Sequence, residues 1–190
     1  MPTRLGRPVP AALLLALFIL ATPAAAASPP GMTSVGVGRF DQDEVGLHLF
    51  WFNRVSTAGE SEAWELRLEH RFGGDLAWTP TGYLTVRPWT GAEITRRRAF
   101  FAGGGGAADL SLGHVVFTFS AGAGLYLRGD GKDLGYPLEF RTGLEAGWQF
   151  DGGWRLSAGY YHMSNAEIRE ENPGANTLVL YLHLPDTWMQ

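Results

Sequence analysis

Residues 138–151 read LEFRTGLEAGWQFD, and this stretch decides the fold. Its even positions are Leu138, Phe140, Thr142, Leu144, Ala146, Trp148 and Phe150, and its odd ones are Glu139, Arg141, Gly143, Glu145, Gly147, Gln149 and Asp151. A period of two with one greasy face and one charged or small face is the pattern of a β-strand. It recurs in WELRLEHRF, where Trp64, Leu66, Leu68 and Phe72 oppose Glu65, Arg67, Glu69 and Arg71, with His70 interrupting the apolar side. It recurs again in VVFTFSAGAGLYLR, where Phe117, Phe119, Leu125 and Leu127 oppose Thr118, Ser120, Gly122, Gly124, Tyr126 and Arg128. Turn signals separate the runs: FGGDL from Phe72, the Gly113–His114 step, RGDGKDLG and FDGGW. The pattern predicts about eight strands, near 33–40, 61–72, 78–89, 97–112, 114–128, 136–151, 153–164 and 176–184. Residues 45–54 either extend the first strand or form a separate edge piece.

Antiparallel strands of this number predict an all-β, eight-stranded up-and-down barrel, because closure removes exposed sheet edges. Alternation does not say which face points inwards. A soluble lipid-binding barrel holds its apolar face inside, and a transmembrane barrel turns it to lipid. Three features favour the transmembrane β-barrel. The charged face is rich in glycine and mixes both signs, as a narrow lumen requires. The runs reach or exceed the roughly 9–11 residues of a tilted spanning strand. Trp78, Trp89, Trp148, Trp154, Tyr160 and Tyr161 lie near strand ends, where interfacial girdles belong.

Residues 1–27 read as a secretory signal peptide, with Arg4 and Arg7 before the run AALLLALFILA, and Ala25 and Ala27 suited to cleavage before Ser28. That run is shorter than the ~20 residues of a spanning helix. Residues 28–190 are expected to form one outer-membrane barrel domain. Without Arg4 and Arg7, 13 basic residues face 19 acidic ones, a net charge of −6 that argues against nucleic acid as a partner. The absence of cysteine excludes thiol catalysis and zinc–thiolate sites, and the histidines show no metal-ligand spacing.

The chemistry concentrates in GWRLSAGYYHMSN. On this strand His162 and Ser164 share the apolar parity of Leu156, Ala158 and Tyr160, so both point to lipid near the membrane interface. A serine two residues from a histidine, on a surface that meets acyl chains, fits ester hydrolysis of a membrane lipid. The bland alternative is a pair of polar residues at a strand end. In NTLVLYLHLP, Asn176 shares the parity of Leu178, Leu180 and Leu182, and a hairpin between the last two strands brings it beside His162. An asparagine can orient a histidine.

The block HMSNAEIREENPGAN at 162–176, preceded by GDGKDLGYPLEFRTGLE at 129–145, resembles the lipid A 3-O-deacylases of the PagL type, also called acyloxyacyl hydrolases. The resemblance extends more weakly through SVGVGRFD and LRLEHRF. It implies an eight-stranded outer-membrane barrel acting on lipid A of lipopolysaccharide, with a serine–histidine–acid triad facing lipid and no cofactor or metal. By that resemblance Ser164 is the nucleophile, His162 the general base, and Asn165 with nearby backbone N–H groups the oxyanion-stabilising part. The chain departs from the pattern at Asn176, where the family has glutamate; Glu167, Glu170 or Glu171 can stand in for it. Arg96, Arg97 and Arg98 form the densest basic cluster for lipid A phosphates. Two further readings stay open, a non-catalytic structural or adhesive barrel and a soluble periplasmic lipid-binding barrel.

Overall fold

The structure is a computed structural model that describes residues 28–40 and 62–188; the expected signal peptide and residues 45–54 lie outside the described residues. The strands are β1 (Met32–Phe40), β2 (Ala63–Arg71), β3 (Trp78–Thr81), β4 (Leu84–Thr95), β5 (Phe100–Leu112), β6 (Val115–Leu127), β7 (Leu138–Gln149), β8 (Arg155–Ser164) and β9 (Ala175–Pro185). They pair antiparallel in the order β2-β1-β9-β8-β7-β6-β5-β4-β3, and a further β2–β4 ladder from Glu65↔Thr95 to Arg71↔Trp89 closes the sheet. Eight strands form the barrel. β3 is a four-residue hairpin partner of β4 beyond the end of the β2 ladder.

The predicted strand 78–89 is thus two strands, and 90–95 is not a connection but the continuation of β4. The turn falls instead at Thr95–Arg98, closed by the Arg98 N–H on the Thr95 carbonyl (2.9 Å). Its left-handed residue is Arg98 (φ 62°), so no glycine marked it in the sequence.

The charged face lies inside. Glu65, Arg67, Glu69 and Arg71 of β2 are all buried, whereas Trp64, Leu66 and Leu68 are exposed. Across the lumen Arg141 meets Glu69 (2.5 Å) and Glu93 (3.2 Å), Arg67 meets Glu93 (2.7 Å) and Glu65, and Arg71 meets Glu69 (2.9 Å) and Glu145. Asp109 takes Arg155 at 3.3 Å and accepts from Thr118 Oγ1 at 2.5 Å. Pairing of this kind lets a low-dielectric interior hold charges that are costly alone.

Two of the aromatics expected in the interfacial girdles are interior groups. Trp89 and Tyr161 have lumen parity and are buried, with the Arg141 guanidinium over both rings (4.1 and 5.1 Å to the centroids). Space for Trp89 comes from glycine: a Cβ on Gly122 would lie 2.5 Å from its ring. Trp78 and Trp148 face outwards as expected.

Arg141 therefore joins the acidic groups of two other strands. Arg141→Ala is expected to destabilise the barrel by about 3–5 kcal/mol, since Glu69 and Glu93 lose a buried counter-charge. Urea unfolding in detergent, followed by the gel shift between folded and heated barrel, measures it.

Candidate active site

The β8–β9 ladder sets His162 opposite Asn176, and the β7–β8 ladder sets it opposite Thr142. All three carry outward parity on three adjacent strands. His162, Ser164 and Asn176 are half-buried at one end of the barrel, below the 165–174 loop. The His162 Nδ1 lies 2.9 Å from Asn176 Oδ1. An amide oxygen can only accept, so this contact selects the tautomer with hydrogen on Nδ1 and leaves Nε2 with its lone pair. Phe140 is the cross-strand partner of Ser164. Down the outer wall the next rows are Leu144–Tyr160–Leu178 and then Ala146–Ala158–Leu180.

The loop after Ser164 is built by Asn165, which is fully buried. Its side-chain Nδ2 donates to the carbonyls of Leu134 (3.1 Å) and Glu171 (2.8 Å), and its backbone N–H donates to Asn172 Oδ1 (3.0 Å). Asn165 thus ties the 128–137 loop to the 165–174 loop. Gly135 allows that approach: a Cβ there would stand 2.1 Å from the Glu171 carbonyl oxygen. The Ile168 N–H closes a turn on the Asn165 carbonyl (3.1 Å), with Ala166 (φ 52°) and Glu167 (φ 64°) both left-handed. Positive φ at two successive non-glycine residues is held only by its surroundings.

Sequence reasoning placed His162, Ser164 and Asn176 on one face but missed Gly174. This residue is left-handed (φ 63°), and a Cβ on it would lie 3.1 Å from His162 Cε1. The signal was present in the NPG triplet, read only as a turn. If His162 serves as the base of an esterase, Gly174→Val is expected to lower hydrolysis at least about tenfold by displacing the imidazole. Turnover of a soluble ester by the folded variant checks this.

A serine–histidine–acid group lies inside the barrel. The His183 ring is 2.6 Å from Ser34 Oγ through Nδ1 and 2.7 Å from Ser157 Oγ through Nε2, while Ser157 Oγ donates to Glu145 Oε2 at 3.0 Å. It contains the carboxylate that the outer group lacks. Yet His183 and Ser34 are wholly buried among ion pairs. The group satisfies buried polar atoms.

The Arg96–Arg98 turn joins β4 to β5, on the wall opposite β8, and Arg98 is paired with Asp130 through Nε (2.8 Å). On the site's own side Arg169 lies over the Tyr136 ring (5.2 Å to the centroid).

The barrel resembles solved structures. The crystal structure of the outer membrane enzyme PagL superposes with a TM-score of 0.57 and 21% identity, covering 81% of this chain and 99% of that one. The crystal structure of Neisserial surface protein A gives 0.53 and 10% identity, over 84% of this chain and 99% of that one. Comparison with the curated proteins gives no match. At such identities the structural likeness establishes the barrel. A family model goes further, because lipid A 3-O-deacylase (PagL) matches residues 44–185, most of the chain beyond the expected signal peptide. The chain therefore belongs to the lipid A 3-O-deacylase (PagL) family.

Proposed function

We propose that the protein is a serine esterase of the bacterial outer membrane that removes the ester-linked 3-O acyl chain of lipid A. The observation that carries this reading is the His162–Asn176 contact on the lipid-facing wall, two residues from Ser164. In this reading Nε2 of His162 takes the proton of Ser164 as its Oγ attacks the ester carbonyl. The tetrahedral intermediate collapses to an acyl-enzyme with release of the sugar hydroxyl, which receives the proton from His162. Water, deprotonated by the same imidazole, then releases the fatty acid and restores Ser164.

Oxyanion stabilisation is assigned to the Asn165 region. The side-chain and backbone donors of Asn165 are engaged with the loops, so Asn165 serves by shaping the turn. The Ala166 N–H, at the first left-handed position after it, is the donor we assign to the oxyanion. The acyl chain is placed along the wall past Tyr160, where Ala146 and Ala158 form a low row between larger side chains. Arg169 is the cation placed to meet a phosphate of lipid A.

Localisation follows the same logic. The short 113–114 and 150–154 turns share the end at which Met32 and Pro185 lie, together with the 72–83 connection that carries β3, and the 128–137 and 165–174 loops lie at the site's end. In outer-membrane barrels short turns are periplasmic, so the site sits in the outer leaflet where lipid A resides.

Mass spectrometry of lipid A after incubation with detergent-purified protein tests the proposal. Loss of one hydroxyacyl chain is expected. Intact lipid A with folded protein would instead favour the non-catalytic barrel, and recovery of the protein in the soluble fraction without detergent would favour a lipid-binding barrel of the periplasm.

A further inference from the structure

Among the described residues, one acid of the lumen stands outside the ion pairs. Glu139, the second residue of β7, is wholly buried, and neither of its carboxyl oxygens has a hydrogen-bond partner. Its neighbours offer little. Across the β6 ladder it faces Gly124, and the nearby lumen positions Tyr126 and Met163 belong to the apolar cluster that caps the lumen with Phe101 and Leu134. The Tyr126 hydroxyl donates elsewhere, to the Lys132 carbonyl (2.9 Å). Lys132 is buried with interactions of its own. Arg141, two residues further along the strand, gives its terminal nitrogens to Glu69 and Glu93.

A second orphan oxygen lies at the same level. The last pair of the β7–β8 ladder is Phe140↔Ser164, so Glu139 and Asn165 stand one step beyond it, both with lumen parity and both fully buried. Continuing the ladder by one step would oppose the two, and opposed residues have Cβ atoms about 4.5–5.5 Å apart. The Asn165 amide cannot be reversed, because its Nδ2 already faces two carbonyl oxygens, and exchanging nitrogen for oxygen would set acceptor against acceptor. Its Oδ1 consequently has no donor. Two neighbouring side chains thus present three buried acceptor oxygens. An ionised carboxylate adds only acceptors, whereas a protonated one supplies an O–H.

We propose that Glu139 is a neutral carboxylic acid that donates its O–H to Asn165 Oδ1, directly or through one buried water, and so positions the turn that follows Ser164. Its functional half rests on the esterase reading above. Glu139 does not touch the reacting atoms. It acts through Asn165, which holds both the left-handed turn and the two loops above the site.

Infrared difference spectroscopy of the folded barrel at neutral pH, wild type minus Glu139→Gln, reads the proton without any assay of activity. A protonated-carboxyl C=O band that disappears in the variant is expected. Its absence overturns the proposal, whether the carboxylate is then served by the unpartnered Nε of Arg141 or by a bound cation. Because this readout survives even if lipid A proves not to be a substrate, failure of the esterase reading remains distinguishable. The positioning role is read from turnover. Glu139→Gln keeps a donor and is expected within about twofold of wild type, whereas Glu139→Ala lowers kcat about tenfold with KM little changed. Equal losses in the two variants, both folded, overturn that role.

Discussion

Ser164→Ala is expected to cut acyl release from lipid A by at least about 10³-fold while leaving the barrel folded. The argument begins with position. Ser164 is the final residue of β8 and half-buried on the outer wall, so losing its hydroxyl removes no part of the lumen network. Any change therefore reports on chemistry rather than on assembly. Without Oγ there is no acyl-enzyme, and the remaining groups can only assist direct attack by water. Mass spectrometry of lipid A measures the loss, and the gel shift of the unheated protein certifies the fold. Wild-type turnover by this variant would remove Ser164 from the mechanism and would move attention to other hydroxyls near His162, such as Thr142.

The second large effect runs the other way. Asn176→Glu is expected to raise turnover by about 10- to 10³-fold. Asn176 Oδ1 already holds the proton of His162 on Nδ1, so the amide performs the orienting half of an acid's task. What it lacks is charge. In the proposed mechanism His162 becomes a cation on taking the serine proton, and a neutral dipole stabilises that cation less than a carboxylate does. Exchanging the acid for an amide in a serine-protease triad costs about 10⁴-fold, through the wrong tautomer. The geometry here preserves the right tautomer, so the gain from restoring charge is smaller than that figure. Glutamate is one methylene longer than asparagine, and Asn176→Asp serves as the shorter companion. An unchanged rate in both variants would mean that orientation alone suffices at this site.

The legible part of this fold was the part written in parity. Along β2, β6, β7 and β8 each side chain faces as its odd or even number requires, because a pleated strand offers only two faces and lipid and lumen demand opposite chemistry. The same rule set His162, Ser164 and Asn176 on one face, where the structure shows His162 in contact with Asn176. Reading by residue type, not parity, failed where aromatic residues meet arginine. Trp89 and Tyr161 look like girdle residues by type, yet a guanidinium can stack on a ring inside the barrel, and composition does not distinguish the two uses. It failed also at the Thr95–Arg98 turn, where Arg98 occupies the position a glycine would have advertised. The role of Asn165 was out of reach for another reason. Its partners Leu134 and Glu171 contribute backbone carbonyls, and a carbonyl leaves no trace in the residue alphabet.

The placement of His162, Ser164 and Asn176 on the outside of a filled barrel has a kinetic consequence. A substrate that arrives along the membrane is counted per unit area, not per unit volume. In mixed micelles at a fixed ratio of protein to detergent, diluting lipid A with inert phospholipid should slow the reaction even when its bulk concentration is unchanged, and adding buffer should not. Under the proposed function the rate law is two-dimensional, set by lateral diffusion and by how crowded the leaflet is with competing lipids.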